Sequence, residues 1–320
     1  MLQLIGRRAL GLVPVVIAAS ILTFGLLSAL PGDAAVAGLG TDFTQEQLDT
    51  RRAELGLDDP LPVRYFNWIT GAVQGDLGRS ALTNQQVSEL IKERAPVTFQ
   101  IMGMTMIIAL VFAIPLGVST AYKAGSYYDR IVSAVTFGLL SIPNFVMALL
   151  LIIFVAVELG WLPASGWTRF SEDPLGSLRS GLLPAMALAM GIIAVLTRLL
   201  RTDMISTLQD DHVVLARSKG LPTAQILFRH ALRPSSFSLM TVLGLQLAAL
   251  ISGSVVIEEI FALPGLGRSL FGAVRQQDLM VVQGLVLLLA IIYVLVNFIV
   301  DMLYSFLDPR IRHGYVRSGS

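Results

Sequence analysis

Residues 210–234 read DDHVVLARSKGLPTAQILFRHALRP, with apolar residues at helical spacing on both sides of a Gly-Leu-Pro turn. Gly220 can adopt the left-handed conformation that ends a helix, and Pro222 fits the first turn of the next helix. Basic residues lie between the apolar positions in both halves. The stretch therefore predicts an amphipathic helical hairpin, and the rest of the chain indicates what it serves.

The composition is that of an integral membrane protein. Of 320 residues, 54% are hydrophobic and 14% are charged, whereas soluble proteins average about 25% charged residues. The net charge of +1 gives no indication of nucleic-acid binding. The absence of cysteine excludes disulfides, thiolate metal sites and cysteine nucleophiles.

Six charge-free runs predict six transmembrane helices, since a helix needs roughly 20 apolar residues to cross the hydrocarbon core. The runs are 9–30, 97–122, 131–157, 180–197, 234–257 and 279–300. The fourth is short, so we expect it to extend through Leu200, with Arg198 and Arg201 reaching to the interface. Pro115 and Pro143 are positioned to kink their helices.

The distribution of Lys and Arg predicts that both termini and residues 198–233 are cytoplasmic. With the N-terminus inside, thirteen basic residues fall on the inner side and ten on the outer side. Six of those ten lie in the long 31–96 segment, where the positive-inside rule is weak. An alternative for the first run is a cleaved signal peptide, but its apolar core exceeds the usual length of about 7–15 residues.

Residues 31–96 predict an outer helical segment between the first two spans. Thr44 with Gln47 forms a capping-box pattern for a helix that ends at Gly56. Thr83 with Gln86 suggests a second helix, which should stop near Pro96. The segment is either a set of interfacial helices covering the outer face or a docking surface for a soluble partner.

The outer loop 258–278 and the C-terminal tail are predicted from local signals. Pro264-Gly265 favours a turn, and residues 268–275 form a short amphipathic pattern. We expect no seventh span there. The tail 309–320 is short and polar.

No motif for catalysis or nucleotide binding is present, and we predict no catalytic, cofactor-binding or metal site. The sequence lacks the P-loop pattern, H-E-x-x-H and G-x-S-x-G. Its three histidines, His212, His230 and His313, are far apart in sequence and favour solvated or interface positions.

The predicted spans lack carboxylates, which disfavours an ion-coupled carrier because such carriers keep ionisable groups near the bilayer midplane. Their polar residues are uncharged. Four of them are candidates for lining a transport pathway: Asn144, Gln246, Ser252 and Ser254. Hydrogen bonding between helices is the alternative role for each. A channel driven by a separate ATPase that grips residues 210–234 is the economical interpretation.

Several stretches together resemble the permease subunits of bacterial binding-protein-dependent ABC importers, in the dipeptide/oligopeptide/nickel branch. The chain is most similar to the first, B-type permease of that branch, and the resemblance covers nearly all of it. The stretches are LPGD (30–33), LGLDDPLPVRY (55–65), GDLGRS (75–80), ARSKGLP (216–222), RHALRP (229–234), GSVVIEEIFALPGLGRSL (253–270), VVQG (281–284) and VNFIVDMLYSFLDPRIR (296–312).

The resemblance implies that residues 210–234 are the coupling loop that docks into the ATPase subunit. Ala216 and Gly220 match the family's E-A-A…G pattern, but Val214 and Leu215 stand where it has Glu and Ala. The implied coupling residues are Val213, Val214, Leu215, Ala216, Arg217, Ser218, Lys219, Gly220, Leu221 and Pro222.

The resemblance also implies a type I ABC importer permease fold and a set of partners. The partners are a homologous second permease, two ABC ATPases that bind ATP and magnesium, and an extracytoplasmic solute-binding protein, in the lipid of the bacterial cytoplasmic membrane. The implied parts are 1–96 (first span and outer segment), 97–308 (five-helix core) and 309–320 (cytoplasmic tail). The expected cargo is a di- or oligopeptide, with nickel, a glycoside or another small solute as alternatives.

Overall fold

The computed structural model describes residues 2–28, 36, 44–54 and 56–307, which form helices joined by turns. The LPGD stretch at 30–33 and the tail 309–320 lie outside these residues. The helices are α1 (Leu2–Ser28), α2 (Gln45–Glu54), α3 (Leu61–Val73), α4 (Val87–Tyr122), α5 (Tyr127–Ser141), α6 (Asn144–Leu151), α7 (Pro174–Thr207), α8 (Asp211–Ser218), α9 (Thr223–Gln225), α10 (Leu232–Ile260), α11 (Leu266–Arg275) and α12 (Leu279–Leu307). Wider π-type turns, Ile152–Glu158 and Ile226–Ala231, follow α6 and α9.

Five stretches of the described chain are long and apolar enough to cross a membrane. They are Gly11–Ser28, Val87–Tyr122, Pro174–Thr207, Thr223–Ile260 and Leu279–Val300. A sixth crossing is a bent pair, Tyr127–Ser141 with Asn144–Glu158, when the pair is counted as one span. The predicted all-α membrane fold is confirmed, with a broken third span.

The third span bends by 104° at Ile142-Pro143. Ile142 has extended backbone angles (φ −95°, ψ 119°), as expected for a residue whose helical conformation is disfavoured by a following proline. Pro143 (φ −59°, ψ 144°) then precedes the first residue of α6. The run 131–157 is therefore two helices at a steep angle, because a proline lies at its centre.

The helix predicted to stop near Pro96 does not stop there. α4 begins at Val87 and continues through Pro96 to Tyr122. Its first turns pack Val87, Leu90 and Ile91 against a buried cluster that includes residues of α11 and α12. Burial of apolar surface there offsets the hydrogen bond that proline removes.

One compact unit comprises Met1–Phe99 and Leu263–Leu295. In its outer segment, the Thr44 amide donates to Gln47 Oε1 (2.9 Å) and the Gln47 amide donates to Thr44 Oγ1 (3.3 Å). Gly56 follows with φ +61°. The capping box predicted for the first outer helix is therefore confirmed.

Aromatic residues fix α3 on α1 within this unit. The Phe24 ring lies 5.5 Å from the Tyr65 ring and 5.7 Å from the Trp68 ring, between centroids. The hydroxyls of Ser20 and Tyr65 are 2.8 Å apart. These contacts hold the outer segment against the first span.

A buried carboxylate organises the loop that precedes α12. Asp278 accepts hydrogen bonds from the Ser80 hydroxyl (2.5 Å) and the Ala81 amide (3.3 Å). The preceding α11 is the short amphipathic helix predicted for this loop, and its Leu266 amide donates to Thr98 Oγ1 (2.9 Å).

The second unit comprises Gln100–Ala262 and Val296–Ser320 and is built around α7. Helices α5, α6 and α10 all pack on α7. Close packing depends on small residues: a Cβ added at Gly117 would lie 2.9 Å from the fully buried Leu200 side chain. The packing units cut across the predicted 96/97 boundary, and the three-part division stays a prediction.

Arg201, which was predicted to reach toward the membrane interface, forms an ion pair with a buried carboxylate. Its Nε and Nη2 donate to the two carboxylate oxygens of Asp129 at 2.6 and 2.7 Å. Asp129 is 3% exposed and also accepts from the Gly125 amide (2.9 Å). Arg198, one turn earlier, lies 3.9 Å from the centre of the Phe137 ring. Sequence reasoning missed the pair because its members are 72 residues apart.

We predict that Arg201→Gln lowers the free energy of unfolding of the protein in detergent by about 3 kcal/mol, because it leaves the Asp129 carboxylate buried without its cation. The double variant Arg201→Gln/Asp129→Asn should recover part of this loss in denaturant titrations. Arg198→Gln is the matched control, with an expected change below about 1 kcal/mol. If the single and double variants lost the same free energy of unfolding, the ion pair between Arg201 and Asp129 would not contribute to stability as proposed.

Candidate coupling hairpin and transport pathway

The turn of the predicted hairpin is a Schellman motif at the end of α8. Gly220 has φ +73°, and its amide donates to the Arg217 carbonyl (3.0 Å). The Leu221 amide donates to the Ala216 carbonyl (3.3 Å). These two bonds satisfy carbonyls that a helix end otherwise leaves unpaired. The left-handed Gly220 inferred from sequence is confirmed.

The second arm of the hairpin continues directly into α10. Pro222 is extended (ψ 145°) and precedes α9, after which the helix widens over Ile226–Ala231. Pro234 is thus inside a continuous helical stretch and does not begin the span. Its missing amide would have bonded the His230 carbonyl, and His212 Nε2 lies 3.4 Å from that oxygen. With Nε2 protonated, His212 donates to this carbonyl and links the two arms.

The inner faces of the two arms form a small apolar core. Val213, Ala216 and Ile226 are buried together, and Leu208 and Leu221 pack against them. Val213 and Ala216 are at most 5% exposed. Although both belong to the implied coupling set, their side chains hold the hairpin together and are not on its outer surface.

The outer face of α8 combines apolar and basic side chains. Val214 and Leu215 are 54% and 55% exposed. Arg217, Ser218 and Lys219 are exposed beside them, as are Gly220 and Pro222, while Leu221 is half-buried. The Ser218 hydroxyl donates to the Leu215 carbonyl (2.9 Å). Adjacent exposed apolar side chains rimmed by charge are typical of a protein-docking surface.

The four predicted pathway residues do not form one stripe. Gln246, Ser252 and Ser254 point in different directions around α10, since each residue turns the helix by about 100°. Ser252 is exposed, Gln246 is half-buried and Ser254 is 1% exposed, with its hydroxyl on the Ile251 carbonyl (3.1 Å). Burial favours a packing role for Ser254. Asn144 is exposed at the start of α6, with Oδ1 close to Gly191 of α7.

Two buried carboxylates lie in helices just outside the predicted charge-free runs, and the runs themselves contain none. Asp129 is the third residue of α5 and is paired with Arg201. Glu258 is fully buried near the end of α10. Neither lies in a charge-free run, which is why hydropathy did not reveal them. Their positions within one turn of helix ends differ from the midplane sites typical of ion-coupled carriers.

Two family descriptions together match most of the chain. Residues 1–102 match "Binding-prot-dependent transport system membrane comp, N-term". Residues 113–313 match "Binding-protein-dependent transport system inner membrane component".

Full-length bacterial relatives have related names. A Brucella abortus (strain 2308) protein, provisionally named a peptide transport system permease, is 42% identical over 98% of this chain and 100% of its own length. An oligopeptide transport system permease of Bacillus subtilis is 36% identical over 96% of this chain and 98% of its own length. A glutathione transport system permease of Pectobacterium atrosepticum is 34% identical over 98% of this chain and 100% of its own length.

A solved structure has the same core fold. An inward-facing structure of the MetNI methionine ABC transporter superposes with a TM-score of 0.57 over 68% of this chain and 96% of the matched chain. The sequence identity is 18%, so the similarity concerns the fold.

We predict that Gly220→Val loosens the hairpin, because a β-branched residue is strained in the left-handed conformation by about 1–2 kcal/mol. Limited trypsin digestion should cut faster after Arg217 and Lys219. The matched control is Gly160→Val, at a position outside the hairpin. Gly160 has a similar backbone angle (φ +64°), and an added Cβ would likewise meet no atom within 4 Å. Equal cleavage of the hairpin in wild type and Gly220→Val would show that the turn does not depend on this residue.

Proposed function

Because the chain belongs to the family of binding-protein-dependent transport system inner membrane components, we propose that it forms half of the translocation pathway of an ABC importer for di- or oligopeptides. It is a multi-pass membrane transport subunit. The relatives named for peptide, oligopeptide and glutathione transport support a peptide cargo. Nickel, a glycoside or another small solute is the alternative cargo within the same class.

The observation that carries the proposal is the outer face of α8. Val214 and Leu215 are exposed on the first arm of a hairpin whose inner face is a packed apolar core. The neighbouring Arg217 and Lys219 add positive charge. A packed hairpin of this kind transmits force from a docked ATPase to α7 and α10. The second arm continues directly into α10, and three residues separate α7 from the first arm.

The partners follow from the family role. A homologous second permease completes the pathway, two ATPase subunits dock on the hairpins, and an extracytoplasmic binding protein delivers cargo. ATP and magnesium bind to the ATPases, since this chain has no P-loop pattern. Asn144, Gln246 and Ser252 remain candidates for lining the pathway.

The less favoured alternative is an ion-coupled carrier. Asp129, Glu258 and Asp278 are the buried carboxylates of the described residues. Asp129 already forms a two-point ion pair with Arg201, and Asp278 accepts hydrogen bonds from Ser80 and Ala81. Uptake by the purified chain in vesicles without any ATPase would establish the carrier.

We predict that Leu215→Asp weakens ATPase docking, because a carboxylate replaces an exposed apolar contact. The variant should copurify with at least tenfold less ATPase subunit and lose ATP-dependent peptide uptake, at normal abundance in the membrane. Val73→Asp is the matched control, since Val73 is 84% exposed at the end of α3. It should leave ATPase copurification unchanged. Normal copurification and uptake with Leu215→Asp would refute the docking role.

We predict a cytoplasmic hairpin, with both termini on the same side. The chain lacks cysteine, so Thr223→Cys and Val73→Cys each provide a single thiol. A membrane-impermeant maleimide should label Val73→Cys in intact cells and Thr223→Cys only after permeabilisation. Labelling of Thr223→Cys in intact cells would reverse the proposed orientation.

A further inference from the structure

A long apolar groove of about 620 Å³ opens in the unit that contains the hairpin. Residues of α4, α10 and α12 form its walls, together with Phe228 from the widened turn that joins the hairpin to α10. Most lining side chains are aliphatic or aromatic. The volume lies within the range of about 300–1,000 Å³ typical of small-ligand sites.

One cation lies at the hairpin end of this groove. Arg233 lines it next to Phe228 and Leu232, and the other α10 residues of the wall extend from there to Leu247. The helix rises by about 21 Å from Arg233 to Leu247, over 14 steps of about 1.5 Å. One lipid tail occupies half of the hydrocarbon core, whose full thickness is about 30 Å. The groove wall is therefore longer than one lipid tail is deep.

Arg233 is exposed and forms no ion pair within the part of the chain that the structure describes. A guanidinium at a membrane interface, above an apolar groove between spanning helices, is complementary to a phospholipid. The phosphate suits the planar donors of arginine, and the groove suits an acyl chain. The charge of Arg233 favours an occupant that carries an anion at this end and an apolar chain along the groove.

We infer that the groove is a binding site for an anionic phospholipid, with its phosphate at Arg233 and one acyl chain along α10. The site is in the leaflet on the hairpin's side. Phe228 belongs to the π-type turn, a helix irregularity frequent at functional sites. Bound lipid would therefore contact the segment that connects the hairpin to its span. The inference does not depend on which cargo is carried.

Photo-crosslinking tests the site in the purified importer complex. The complex would be placed in phosphatidylcholine nanodiscs that contain a trace of one probe lipid with a diazirine in its acyl chain. The probe is phosphatidylglycerol in one sample and phosphatidylcholine in the other. Mass spectrometry would locate the adducts on residues 237–247. In the wild-type protein, the yield of adducts should be at least fivefold higher with the phosphatidylglycerol probe than with the phosphatidylcholine probe. Arg233→Gln should abolish this preference. Arg229→Gln, a matched control at an exposed arginine outside the groove wall, should retain it.

A second variant tests the groove itself. Met240 is 47% exposed on the groove wall, so Met240→Trp should insert bulk without disturbing the packed side of α10. It should reduce adducts from both lipids by at least threefold. Equal labelling by the two lipids in wild type, or a preference that survives Arg233→Gln, would overturn the proposal. A crosslink to another subunit in place of lipid would also overturn it and assign the groove to a protein interface.

Discussion

Backbone hydrogen bonding inside the hydrocarbon core is the constraint on which the rest of this structure depends. An unpaired amide or carbonyl in lipid costs several kcal/mol, so each spanning segment is helical. A proline removes one backbone donor, and the described helices accommodate this loss in two ways. At Pro143 the chain restarts as a new helix. At Pro234 the helix persists, and the released His230 carbonyl faces His212.

The backbone groups at the turn of the hairpin are also hydrogen-bonded within the chain. Gly220 closes α8 with two hydrogen bonds, and the apolar core of Val213, Ala216 and Ile226 fixes the angle between the arms. Because Val213 and Ala216 point into that core, their neighbours Val214 and Leu215 are on the outer surface of α8. The family motif therefore mixes two kinds of position: Ala216 and Gly220 shape the hairpin, and their neighbours are available to a partner.

Ion pairing between helices contributes what apolar packing cannot: a defined register between α5 and α7. Asp129 receives two donors from Arg201 and one from Gly125. The pair joins the first turn of α5 to the last two turns of α7, which lead into the hairpin. Gly117 against Leu200 supplies the close helix contact on another side.

The sequence by itself determined the apolar stretches that are able to span a membrane, the capping box at Thr44, the left-handed Gly220 and the amphipathic α11. Each depends on hydropathy or on residues within a few positions of one another, and such local terms are readable from one chain. Only the tertiary structure decided that α4 continues through Pro96, that Arg201 turns inward to Asp129, and that Ser254 is buried while Ser252 is not. These outcomes depend on contacts between distant segments, whose burial and ion-pairing energies exceed the local preferences of the residues concerned.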